Sequence, residues 1–112
     1  MKITQEIHNK KATLRLEGNF TYTQRKAFQE ALKVVCSDPI EEIVIDLSQV
    51  AFLDSAALGL LMISHRQLGA EKRKLSLAYP QPTVRQILEL ANLHKTIPMI
   101  DAGVSTLAKK SA

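Results

Sequence analysis

Few side chains in this chain have the type and spacing to do chemistry, and the most suggestive are Asp54 and Ser55, adjacent within FLDSAALGLL (residues 52–61). They stand where an apolar extended stretch gives way to a helical pattern. One reading makes Ser55 the N-cap of the helix, its oxygen satisfying an orphan backbone N–H for about 0.5–2 kcal/mol. The same placement leaves a hydroxyl at the mouth of a helix, where another protein's active site can reach it. A phosphate there would meet free backbone N–H groups and the positive end of the helix dipole, so the domain itself would tolerate it. Phosphorylation adds roughly 1.5 to 2 negative charges, here immediately beside Asp54. A partner packed over the helix start would have to accept a desolvated anionic cluster, and its binding should weaken.

Other chemistries find little support. His8, His65 and His94 are far apart in sequence, without HxxxH spacing or a cysteine pair, so no metal is expected. Ser55 lacks the G-x-S-x-G frame of a hydrolase nucleophile elbow, its flanks being Leu53 and Ala57. The nearest downstream histidine, His65, sits ten residues along the same helical pattern, roughly 15 Å at 1.5 Å per residue, too far to serve as base. Neither a P-loop nor a GxGxxG run is present, and no cofactor is expected. Glu41 and Glu42 are adjacent and diverge, as solvated charges at a strand entry do. The single cysteine, Cys36, falls in an apolar helical pattern and reads as a buried small hydrophobe in a reducing, cytoplasmic setting.

The elements that would position Asp54 and Ser55 follow from periodicity. Alternating apolar residues at 2–7 and 12–17 around Asn9-Lys10-Lys11 predict a hairpin. Residues 23–37 predict an amphipathic helix with Ala27, Phe28, Ala31, Val34 and Val35 inward, stopped by Asp38-Pro39. Ile43 to Leu47 is β-branched and apolar on both faces, as an interior strand requires. A second helix over 55–70 carries Ala57, Leu58, Leu61, His65 and Leu68 on its core stripe. Leu75 to Tyr79 predicts another strand, and Pro82 opens a third helix with Val84, Ile87, Leu88 and Ala91 inward. Residues 97–100 predict a short edge strand tolerant of Pro98, and 104–110 a last helical turn. The expectation is one α/β domain over residues 1–112, a mixed sheet of four to five strands with three to four helices packed against it.

The length of 112 residues, with 46% hydrophobic composition, suits one core. The net charge of +4 comes from scattered basic residues, and the 4% of aromatics do not interleave with Lys72-Arg73-Lys74, so direct nucleic-acid binding is not expected. No apolar run approaches the ~18 residues that span a bilayer, and the N-terminus lacks a signal-peptide pattern, so no membrane insertion is expected. On a helical wheel Ala56, Gly59, Ile63, Arg66 and Ala70 turn away from the core stripe. This outward row is small and partly apolar next to Ser55, which permits close approach of another protein.

The run EEIVIDLSQVAFLDSAALGLLM, residues 41–62, resembles the strand–loop–helix signature of STAS domains, the fold of bacterial anti-sigma-factor antagonists. The hairpin, RLEGNFTY at 15–22, KLSLAYP and VRQILELANLHKTIPMID follow in the family's order. The resemblance implies that Ser55 is the phosphoacceptor, with Asp54 as its acidic neighbour; joined to the outward row of the helical wheel, this makes Asp54, Ser55, Ala56, Gly59, Ile63 and Arg66 the expected partner-binding surface. It further implies a GHKL-type serine kinase that doubles as the anti-sigma factor, a PP2C-type phosphatase, and no enzymatic activity in this chain. Two departures stand out: Ala56-Ala57 replaces the usual Ser/Thr-Gly after the phosphoacceptor, and Thr21 replaces an acid common after the L-x-G turn. A competing member of the same family is the cytoplasmic STAS subunit of a lipid-trafficking ABC transport complex, in which Ser55 is only a cap.

Overall fold

A computed structural model of the chain describes residues 1–100. The chain starts with the antiparallel hairpin β1 (Lys2–His8) and β2 (Lys11–Phe20), turned at Asn9, whose φ of 58° is one that asparagine accepts readily. Then come α1 (Arg25–Val35), β3 (Glu42–Leu53), α2 (Ser55–Ala70), β4 (Lys74–Ala78), α3 (Pro82–Leu90) and β5 (Met99–Ile100). The five strands make one sheet in the order β1-β2-β3-β4-β5, with every pair after the hairpin parallel. Among the described residues this gives five strands and three α-helices, within the range expected. The helical turn expected over 104–110 lies outside them.

Register explains the core. Ala12 and Leu14 of β2 pair with Ile43 and Ile45 of β3, which pair in turn with Leu75 and Leu77 of β4. Paired residues share a face, so these six form apolar rows, all buried, that continue into Phe28, Leu61, Val84 and Leu88 from the three helices in a single cluster. A strand order that advances in one direction with right-handed crossovers places every crossover helix on the same face. This layering makes the C-terminal end of β3 the point where α2 begins.

Five sequence expectations shift. The strand expected to stop at Leu47 runs to Leu53, because breaks of register at Arg15/Glu17 and at Gly18/Asn19 absorb Ser48 and its neighbours as irregularities within the sheet. The Ser48 backbone is satisfied there by side chains: its N–H donates to Asp46 Oδ1 at 2.9 Å, and its carbonyl accepts from Gln81 Nε2 at 2.8 Å. Gly18 takes a φ of 107° at the second break, a conformation that a side chain would strain. The buried stripe of α1 is Phe28, Leu32 and Val35, whereas Ala27 and Val34 face solvent. The helix is rotated toward Phe28, whose ring centroid packs 5.1 Å from that of Phe20. In α2 the buried residues are Ala57, Leu60, Leu61, Ser64 and Leu68, and Leu58 and His65 are half-buried at the margin. Ala91 is exposed at the end of α3, and Tyr79 lies just beyond β4 with a φ of 53°.

Candidate functional site

At the junction of β3 and α2, Asp54, not Ser55, caps the helix. Its backbone is extended (φ −100°, ψ 179°), and its Oδ1 accepts the Ala57 N–H at 2.9 Å. An acid here is favoured twice over, because its oxygen takes an orphan donor and its charge faces the positive end of the helix dipole. The other oxygen, Oδ2, accepts the Tyr22 N–H at 3.0 Å, and the Asp54 N–H donates to the Phe20 carbonyl at 3.3 Å. One residue therefore ties the start of α2 to the chain leaving β2. The Ala57 and Tyr22 N–H groups hold the Asp54 carboxyl below its ordinary value, since both bonds favour the ionised form.

Ser55 is thus released from the capping role expected of it. It is the first residue of α2 and is exposed. The outward row lies where the helical wheel puts it: Gly59, Ile63, Arg66 and Ala70 are exposed and Ala56 is half-buried. A side chain built at Gly59 would meet nothing within 4 Å, so this position faces open space. Ile63 is 50% exposed on the same face.

The structure adds residues that periodicity did not associate with the site. Tyr22, 59% exposed, belongs to the 3-10 turn Tyr22–Gln24 that follows β2, and its backbone meets Asp54 across 32 positions of sequence. Arg25 lies 4.7 Å over the Tyr22 ring and donates to its hydroxyl at 3.3 Å, a cation–π pair at the rim. Thr21 Oγ1 and Thr21 N both donate to Gln24 Oε1, at 2.7 and 3.1 Å, closing the turn locally. Phe52, two residues before the cap, is 44% exposed. No spacing in the sequence links Tyr22 to Asp54; the only signal was that Tyr22 ends the RLEGNFTY segment quoted above.

The other candidate side chains lie elsewhere. Glu41 is exposed and pairs with Lys10 at 3.5 Å, a surface contact. Cys36 is half-buried at the end of α1, where burial pushes its thiol up against the opposing pull of Arg73. His65 is half-buried, with a shielded Nδ1 that finds no protein partner. Among the described residues no three His, Cys, Asp or Glu side chains converge, and no helix is long and apolar enough to cross a membrane.

Comparison with known proteins agrees with this architecture. The STAS domain profile matches residues 2–106. The chain belongs to the STAS domain family. It is 34% identical over 83 residues to a STAS-domain containing protein of Pseudomonas aeruginosa, covering 74% of this chain and 81% of that protein. It is 31% identical to the anti-sigma-F factor antagonist RsfB of Mycobacterium tuberculosis, covering 84% of this chain and 76% of RsfB. The crystal structure of an anti-sigma factor antagonist from Mycobacterium paratuberculosis superposes with a TM-score of 0.80 at 27% identity, over 96% of this STAS domain and 92% of that chain.

Proposed function

We propose that this STAS domain is an anti-sigma-factor antagonist of a bacterial partner-switching pathway, acting in the cytoplasm as a binding module, not as an enzyme. Unphosphorylated, it docks the outward row of α2, with Asp54, Ser55, Ala56, Gly59, Ile63 and Arg66, onto an anti-sigma factor that is also a GHKL-type serine kinase. Transfer of the ATP γ-phosphoryl group to Ser55 Oγ releases ADP and a proton and leaves a phosphoserine beside the ionised Asp54. The added charge then opposes re-docking, and a PP2C-type phosphatase resets the switch by hydrolysis.

The observation that carries this reading is that Asp54 takes over the capping, leaving Ser55 exposed as the first residue of α2. A serine needed as a cap would be engaged with the backbone, whereas here the hydroxyl can be modified without loss of the cap. The names of the mycobacterial relatives support the partner class. Incubating the domain with such a kinase and ATP, then mapping the product by mass spectrometry, should find one phosphate on Ser55 and none on Ser55→Ala. Phosphate on any other residue would remove Ser55 from the role. Stable co-purification with a permease, indifferent to Ser55→Ala, would favour the transport-subunit reading instead.

A further inference from the structure

Strand β1 forms one border of the sheet, and its hydrogen-bonding pattern shows which residues face outward. His8 and Lys11 pair across a two-residue turn, so theirs is a hydrogen-bonded pair. Antiparallel ladders alternate, and the β1–β2 register has no break. Lys2, Thr4, Glu6 and His8 therefore direct their N–H and C=O groups toward β2. Ile3, Gln5 and Ile7 direct theirs outward, where no described strand pairs with them. Such an edge is a template for another strand, and β1 contains no proline or register break that would block one.

The edge is complementary to itself. In a two-fold antiparallel pairing centred on Gln5, Gln5 faces Gln5 of the second copy and Ile3 faces Ile7 twice. All three outward-facing residues then fall in hydrogen-bonded pairs. The two apolar side chains meet on the helix-bearing face, where Ile3 already packs against the core and Ile7 is 46% exposed. On the opposite face Lys2 of each copy stands diagonal to Glu6 of the other, within reach of long side chains of opposite charge. Shifting the pairing by two residues loses the isoleucine matches and shortens the ladder.

We propose that the β1 edge is a self-association surface, on which a second copy of this chain adds its own β1 to make one sheet continuous across an isologous dimer. The surface is built from residues outside the Ser55 region, and the proposal does not depend on Ser55 being modified.

Sedimentation of the full chain up to about 100 μM, where interfaces below standard size still associate, should show a concentration-dependent dimer. Gln5→Pro removes an outward N–H and leaves the β1–β2 ladder its donors, so it should weaken the dimer at least ~10-fold with an unchanged circular dichroism spectrum. A wild type that stays monomeric, or a folded Gln5→Pro that dimerises as tightly, overturns the proposal. A second readout covers a variant that misfolds. In a Cys36→Ser background, Gln5→Cys should cross-link under mild oxidation, because an opposed hydrogen-bonded pair has Cα atoms about 5.5 Å apart, suited to a disulfide. Ile7→Cys should not, its symmetry mate lying about 13 Å along the strand at ~3.3 Å per residue. Equal cross-linking of the two, or cross-linking of Ile7→Cys alone, excludes this register.

Discussion

Asp54 carries two structural tasks with one carboxylate, and their loss can be measured separately from any signalling role. Because its folded-state titration lies below the ordinary aspartate value of 3.8, its ionised form favours the folded state. That stability is fully present above 3.8 and is lost as the pH falls through the lower, folded-state value. Asp54→Asn keeps an acceptor for the Ala57 N–H but loses the charge, so its unfolding midpoint in urea should drop less on acidification below 3.8 than that of wild type. Asp54→Ala loses both acceptors and should be the less stable of the two at neutral pH. Midpoints for both variants equal to that of wild type at neutral pH would mean that the carboxylate is not what fastens α2 to the Tyr22 turn. Which of the adjacent pair is the cap was not legible in the sequence, since aspartate and serine are nearly equal as N-caps. The choice depends on backbone angles set by where β3 ends and on the Tyr22 N–H arriving from another part of the chain.

Helix α2 shows where periodicity suffices and where it fails. Gly59, Arg66 and Ala70 interrupt an otherwise apolar segment and mark the face that needs no burial; they and Ile63 are exposed, while Ala56 at the start of the outward row is half-buried. Its inward stripe was read less well: with Leu58, Leu60, Leu61, Met62 and Ile63 consecutive or nearly so, apolar residues lie almost all round, and packing against β4 decides which go deepest. The α1 stripe was displaced for a related reason. Alanine and valine at 27 and 34 look inward by type, but the contact of Phe28 with Phe20 sets the rotation. Strand β3 runs past Leu47 because its register break is supported locally by Asp46, two residues before Ser48, and from a distance by Gln81, whose contact with the Ser48 carbonyl has no local sequence mark. Two substitutions test the helix as drawn. Gly59→Ala fills open space on an exposed helix and should raise stability by up to ~1 kcal/mol, whereas Leu61→Ala empties a fully buried position and should cost about 2–5 kcal/mol. Both are read from denaturant midpoints at constant m-value. A destabilising Gly59→Ala would mean that the row is covered within the monomer.

At the scale of the whole molecule, the helices and sheet hold the mouth of α2 in place without using its outward surface. The order of elements was legible because each crossover is a clean strand–helix alternation, and the STAS resemblance of residues 41–62 extends to the sheet found. The proposed docking surface can therefore be altered independently of the fold. Gly59→Arg should leave thermal unfolding within a few degrees of wild type while blocking partner docking through bulk in the middle of the row. Retained full affinity in a pull-down with the anti-sigma factor would move the docking face elsewhere. In the proposed switch, an anion on Ser55 ejects the partner while the host domain stays folded. The most direct measurement is a calorimetric titration of the anti-sigma factor with the domain before and after stoichiometric phosphorylation of Ser55. Binding should be at least ~10-fold weaker after modification, with an unchanged circular dichroism spectrum; equal affinity for the two forms would rule the switch out.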